Sequence, residues 1–202
     1  SNVKAGEYHG IYEVLIRGKQ AVQIPVSLTV WNFVLPDVPT MKTALGSPAK
    51  RLRAYYQDRA RRGVEAEPEN WEDFDEQCAE ELSRHHVNAT PPRDTVTPVQ
   101  QPDGTWRIPE AKIDLLRKFV DTYHVNAIAI PHPGIIIEDP DAEGEKLTEW
   151  LRAFDRAATE LKQTNLIFYI YLKDEPDSKA DYLYVQKWGQ AVRRAGSVVK
   201  IL

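Results

Sequence analysis

The sequence predicts an α/β protein in which helices alternate with parallel strands, entered through a β-hairpin. Three observations carry this. A motif, His86-Val-Asn-Ala89, recurs 38 residues on as His124-Val-Asn-Ala127, and Asn165 follows 39 residues after Asn126. Each asparagine closes an amphipathic helical stretch and opens a short apolar run, which is a β/α unit repeated every ~40 residues. The most apolar run, Leu166-Ile-Phe-Tyr-Ile-Tyr-Leu-Lys173, ends on Asp174-Glu-Pro176. Pro176 cannot donate to a sheet ladder, so a buried strand stops there, with two carboxylates at its carboxyl end.

The totals exclude several classes. The chain has 202 residues, 42% hydrophobic and 28% charged, with a formal net charge of −4. Such a composition builds a globular core and argues against a nucleic-acid binder. No apolar run approaches the ~20 residues that span a bilayer, so no membrane partner is expected. Cys78 stands alone, which excludes an internal disulfide and a cysteine-rich zinc site, and its spacing with Phe74 and Leu82 makes it a core thiol. His85-His86 lacks a third ligand at metal spacing and is expected to meet the terminal carbonyls of its helix. No metal or other cofactor is called for, and the compartment stays open.

Taken in order, residues 1–36 read as two strands, Tyr8 to Arg17 and Ala21 to Leu35, around a turn at Gly18-Lys19. Two strands cannot bury a face, so they read as the end of a β-sandwich. Pro36-Asp-Val-Pro39 marks a boundary, with residues 37–202 forming the second domain. There, Thr40–Leu45 is a first short strand. Helices follow over about 48–62 and 70–86. The first carries Lys50, Arg51, Arg53, Arg59, Arg61 and Arg62, a solvated basic face that the acidic stretch Glu65 to Glu76 can offset locally. Further strands are expected at Val87–Thr90, Ala127–Ile130, Leu166–Lys173 and Val198–Leu202, and further helices over 109–123, 144–162 and 178–195. No Gly-x-Gly-x-x-Gly or Walker loop follows any strand, which argues against a nucleotide site. Five β/α strands are part of a (β/α)8 barrel of the TIM type, which takes about 250 residues. An open edge in such a sheet calls for self-association or a complementing half-barrel.

Chemistry on such a fold gathers where strands end. Leu166, Phe168, Ile170 and Leu172 form one face of the long strand, to lie under helices. Ile167, Tyr169, Tyr171, Lys173 and Glu175 form the other. By phase Glu175 points into the cleft and Asp174 points away, unless the backbone turns at Pro176. As ordinary loop charges, Asp174 or Asp177 would instead cap the next helix. Arg93, Asp94 and His132 follow strands at this end and, with Tyr171 on the inward face of the long strand, are candidate substrate-binding groups; Tyr169 and Tyr171 could equally fill the barrel. Of the five tryptophans, Trp106 in a polar loop is the one expected to be exposed for stacking on a sugar.

Ile24-Pro-Val-Ser-Leu-Thr-Val-Trp-Asn-Phe-Val-Leu-Pro36, Lys42-Thr-Ala-Leu-Gly46 and Tyr171-Leu-Lys-Asp-Glu-Pro176 together resemble glycoside hydrolase family 123 and its uncharacterised relatives. The resemblance implies a β-sandwich leading into a (β/α)8 barrel. It implies hydrolysis, with retention, of terminal β-linked N-acetylgalactosamine. The 2-acetamido oxygen of the substrate would be the nucleophile, with Glu175 as general acid and base and Asp174 holding the acetamide. It also implies that the second half of the barrel lies outside these residues, which leaves open whether they turn over substrate alone. Two alternatives stay open: a double-displacement glycosidase whose nucleophile lies beyond residue 202, and a carbohydrate-binding protein with a degenerate barrel.

Overall fold

The structure, a computed structural model, describes residues 3–45, 49–162 and 165–202, without the side chains of residues 49, 50 and 93. Gly46 of the Lys42-Thr-Ala-Leu-Gly46 motif and Pro48, the expected start of the first helix, lie outside the described residues. The chain divides into two compact units, Ser1–Asp37 and Val38–Leu202.

The first unit is a ribbon of two antiparallel strands, β1 (Gly6–Ile16) and β2 (Lys19–Val30). The turn is Arg17-Gly18, one residue earlier than expected. Both residues have positive φ, 51° and 73°, the geometry whose twist matches a two-residue hairpin loop. Register sorts the side chains by face. The pairs Tyr8–Leu28, Tyr12–Ile24 and Val14–Val22 lie on one face, and Glu7–Thr29, His9–Ser27 and Glu13–Gln23 on the other. On the polar face Gln23 donates to Glu13 at 2.9 Å. Most of the apolar face is exposed, as a ribbon with no second layer must leave it.

The second unit is a mixed α/β body. Its helices are α1 (Ala49–Arg61), α2 (Trp71–Arg84), α3 (Glu110–Tyr123), α4 (Gly144–Leu161) and α5 (Lys179–Arg194). β3 (Val99–Gln100) and β4 (Trp106–Arg107) form a small hairpin that the sequence reading missed. β5 (Ala127–Ala129), β6 (Ile167–Ile170) and β7 (Lys200–Ile201) form a parallel sheet in that order, with α4 and α5 as the crossovers. The core forms where the apolar stripe of α4, Leu147, Trp150, Leu151, Phe154 and Ala157, meets β6 and β5. Phe154 sits 5.7 Å from Phe168, ring centre to ring centre. Truncating so buried an aromatic typically costs about 3–5 kcal/mol.

The expectation of five β/α strands is corrected to three, and no closed barrel is seen among the described residues. Thr40–Leu45 and Val87–Thr90 are not strands. The reason is visible at Asn88. Its side-chain amide donates to the Ala127 carbonyl at 2.5 Å and accepts the backbone N–H of Asn126 at 2.9 Å. A side chain thus takes the edge of β5 that a neighbouring backbone would have paired with. Residues 87–90 are held beside β5 without a ladder. The Asn88 N–H in turn donates to the Thr43 hydroxyl at 2.9 Å. Asn126 donates to the carbonyls of Pro39 and Met41, and Lys42 reaches Asn165. Asn88 therefore ties Thr43 to β5, while Asn126 and Asn165 are both bonded back to residues 39–42.

The histidines of the repeat have their own role. His86 and His124 adopt the left-handed conformation, φ 56° and 55°, that ends a helix and redirects the chain. The ring of His85 pairs with the Glu81 carboxylate at 3.0 Å rather than with helix carbonyls. The basic face of α1 is offset by acids, as Arg53 pairs with Asp75 at 2.5 Å and Arg59 with Glu65 at 2.8 Å. Cys78 is half-buried, and burial first, then the charge of Asp75, raises its pKa, which keeps it a thiol.

Candidate active site

Parallel strands leave the sheet on the same side, so the segments after β5 and β6 share one edge. The ladder pairs Ala129 with Tyr169, and the Ile130 N–H donates to the Tyr169 carbonyl at 2.8 Å. Extrapolated three residues past that pair, the same offset sets His132 against Leu172. Regular strand geometry is shorter than the apolar run, because the chain beyond Ile170 leaves the sheet while Leu172 still packs into the core.

Beyond Leu172 the chain turns. Glu175 has φ +41°, unusual for a residue with a side chain. In the segment that has left the sheet, the Tyr171 hydroxyl donates to the Asp174 carboxylate at 2.9 Å. Asp174 thus lies on the side of Tyr171, not on the opposite face that simple alternation gives. That hydrogen bond, then burial and the charges of Asp174 and Glu175, raises the pKa of Tyr171, so its proton stays on the phenol. Glu175 is exposed, and its carboxylate makes no hydrogen bond or ion pair among the described residues.

Neither Asp174 nor Asp177 caps α5. Ser178 does: its hydroxyl oxygen accepts the Asp181 N–H at 3.1 Å and its proton goes to the Asp181 carboxylate at 2.8 Å, a reciprocal cap. This frees the acids of the turn from a structural duty. Lys173 is drawn away from them, pairing with Asp181 at 3.1 Å. The bonds from Ser178, then Lys173, hold the Asp181 carboxyl below its ordinary range.

His132 follows β5 and is packed against α5. Its ring stacks on Tyr184 and meets Trp188 edge-on, with centres 5.9 and 4.8 Å away. Both ring nitrogens are engaged: Nδ1 accepts the Gly134 N–H at 2.9 Å, and Nε2 lies 3.1 Å from the Tyr184 hydroxyl. Burial lowers the pKa of His132 and keeps the ring neutral.

The structure therefore joins Tyr171 to Asp174 and Glu175, and places His132 on the same sheet edge. It directs Asp94 elsewhere. Asp94 sits in a 3-10 turn (Arg93–Val96) and pairs with Lys112 of α3 at 2.9 Å. The side chain of Arg93 lies outside the described residues. Trp106, the expected exposed tryptophan, is half-buried in β4, and its carbonyl accepts from Arg156 at 2.5 Å; Trp31 is the exposed one. Asp181 and Tyr184 were missed, although both lie in the first two turns of the helix after the strand. Among the described residues no group of three His, Cys, Asp or Glu side chains could hold a metal ion.

A groove of about 650 Å³ runs between residues 140–148 and 191–195. Its cations are already matched, Arg194 by Asp141 and Lys146 by Glu143, so among the described residues it offers no free cation. The open edge carrying Tyr171, Asp174 and Glu175 has an unpaired carboxylate beside an oriented one, which is what acid–base chemistry needs. No helix of the described residues is long and apolar enough to cross a membrane. Comparison of the chain with protein-family models, with characterised proteins and with solved structures finds no match.

Proposed function

We propose that the second unit is the N-terminal part of a (β/α)8 glycoside hydrolase barrel acting on N-acetylhexosamine glycosides, with Asp174 and Glu175 as its catalytic pair. The observation that carries the reading is the difference between two adjacent carboxylates: Tyr171 orients Asp174, while Glu175 stands unpaired in a turn of strained backbone. Support for the barrel comes from parallel β5–β6–β7 and from the asparagine ties that hold residues 40–45 and 87–90 beside them. The motif resemblance supplies the substrate class.

In this mechanism Glu175 gives its proton to the glycosidic oxygen as the bond to C1 breaks. The carbonyl oxygen of the substrate's own 2-acetamido group attacks C1 from the other face. Asp174 accepts the acetamide N–H, which orients the carbonyl and stabilises the positive charge of the oxazolinium-like ring. Glu175, now a carboxylate, takes a proton from water as that water attacks C1 and reopens the ring. Two inversions give net retention. The Tyr171 hydroxyl holds Asp174 at the angle this requires.

The test is release of the alcohol from an alkyl β-N-acetylgalactosaminide, whose leaving oxygen needs the proton, by the full-length protein and by its Glu175→Gln variant. Turnover that depends on Glu175 supports the reading. Undiminished turnover of the alkyl glycoside by the variant, or none by the full-length protein across a panel of acetamido glycosides, overturns it.

A further inference from the structure

The geometry points to Tyr184 as a ligand-binding residue of this site, a hydrogen-bond donor to a sugar oxygen, with His132 as the positioning residue that leaves its proton free. The inference deepens the glycosidase reading and rests on it.

The proton count at His132 carries the argument. A neutral imidazole has one N–H and one lone pair. The Gly134 N–H points at Nδ1, so the lone pair is there and the proton is on Nε2. Nε2–H then donates to the Tyr184 oxygen at 3.1 Å. A phenol that accepts from histidine keeps its own proton for another acceptor, and Tyr184 has no other hydrogen bond among the described residues. Burial of His132 lowers its pKa and so disfavours the doubly protonated ring, which would lose the Gly134 bond.

The arrangement is built closely. A Cβ at residue 134 would lie 2.8 Å from His132 Nδ1, so only glycine lets the backbone N–H approach the ring. Trp188, itself buried, closes the third side. Tyr184 is 39% exposed, which leaves the hydroxyl reachable while the ring is held. Its location suits the site. It lies one turn after Asp181, which holds Lys173 of the segment leading to Asp174. His132 does not itself meet a ligand through its nitrogens, since both are used. That transfers to Tyr184 the binding role expected of His132 from its position after a strand.

The experiment uses N-acetylgalactosamine and its methyl β-glycoside as probes, with calorimetric binding and imidazole 15N spectra of the same protein. The expected spectrum shows His132 neutral with its proton on Nε2. Tyr184→Phe should weaken probe binding about five- to tenfold, the scale of one hydrogen bond. His132→Leu should match that loss, whereas His132→Gln, whose amide can replace Nε2–H, should recover most of it. Gly134→Ala should shift the His132 resonances and weaken binding without altering any group that touches the sugar. Unchanged binding in Tyr184→Phe, with the wild type binding normally, overturns this inference and leaves the glycosidase reading standing. A proton on Nδ1 overturns the assignment of the donor. Failure of the wild type to bind either probe overturns both.

Discussion

The side-chain oxygen of Asn88 accepts the backbone N–H of Asn126, at 2.9 Å, so the two copies of the repeated motif are bonded to each other. Both side chains are 3% exposed. They differ in satisfaction. The Asn88 amide donates to Ala127 and Thr90 and accepts from residues 126 and 127, whereas the Asn126 side-chain oxygen is buried with no partner.

This asymmetry sets an order of stabilities. Asn88→Ala orphans the Asn126 N–H and loses the bond to Ala127, and a buried orphan costs about 1–3 kcal/mol. The expected loss is about 2–4 kcal/mol in denaturant unfolding, with an unchanged m-value. Asn126→Ala removes an unsatisfied oxygen along with its useful N–H donors, so its loss should be smaller. Equal losses would mean that the ties are not organised around Asn88.

Acid should weaken the segment before α4 through Glu143. Its carboxylate accepts the backbone N–H groups of Glu138 and Asp139 and pairs with Lys146. The Lys146 bond first, then these N–H groups, holds its pKa below the ordinary 4.5. A group with a depressed folded pKa contributes stability above its unfolded pKa and loses it as pH falls through the folded one. Wild type should melt above Glu143→Gln at pH 7, and the gap should close as pH drops below about 4. A gap that persists in strong acid would show that the carboxylate charge is not what holds the segment.

Tyr171→Phe separates orientation from protonation. The change removes the hydroxyl that Asp174 accepts and leaves Glu175 untouched. Under the proposed mechanism kcat should fall about five- to thirtyfold, the modest scale expected for losing one solvent-exposed hydrogen bond to a charged group. The loss should be similar for good and poor leaving groups, because the acid is intact. A loss confined to poor leaving groups would assign Tyr171 to proton delivery instead.

How far the sequence shows this molecule depends on what sets each feature. The helices were legible because their apolar stripes repeat over three turns or more, as in Leu147 to Leu161 of α4. A parallel strand within 166–173 was legible from composition, but the sheet holds only Ile167–Ile170 of that run. Residues 87–90 were not, because a strand-like string was tied by the Asn88 side chain instead of a ladder, and composition does not distinguish the two. The two-residue strands β3 and β4 are too short to have a period. At the site, Asp174 and Glu175 stood out as adjacent acids at a strand end. Their orientation did not, since the chain leaves the sheet after Ile170 and strand alternation no longer applies to residues 171–175. The His132–Tyr184 pair joins residues 52 apart in the chain, beyond any local pattern.

The general-acid assignment of Glu175 makes the most discriminating prediction. Protonating the leaving oxygen matters in proportion to how poorly that oxygen bears negative charge. An alkyl β-N-acetylhexosaminide needs the proton as its bond breaks, whereas a nitrophenyl glycoside leaves readily as the anion. General acid catalysis typically contributes about 10²–10⁴-fold, so Glu175→Gln should lose that much on the alkyl substrate and far less on the nitrophenyl one. Asp174→Asn should behave differently. Removing the carboxylate that accepts the acetamide N–H should cost both substrates alike, because each must form the oxazolinium-like ring. If Glu175→Gln instead loses equally on both, the carboxyl at 175 is not the acid. If Asp174→Asn spares both, the acetamido group is not the nucleophile.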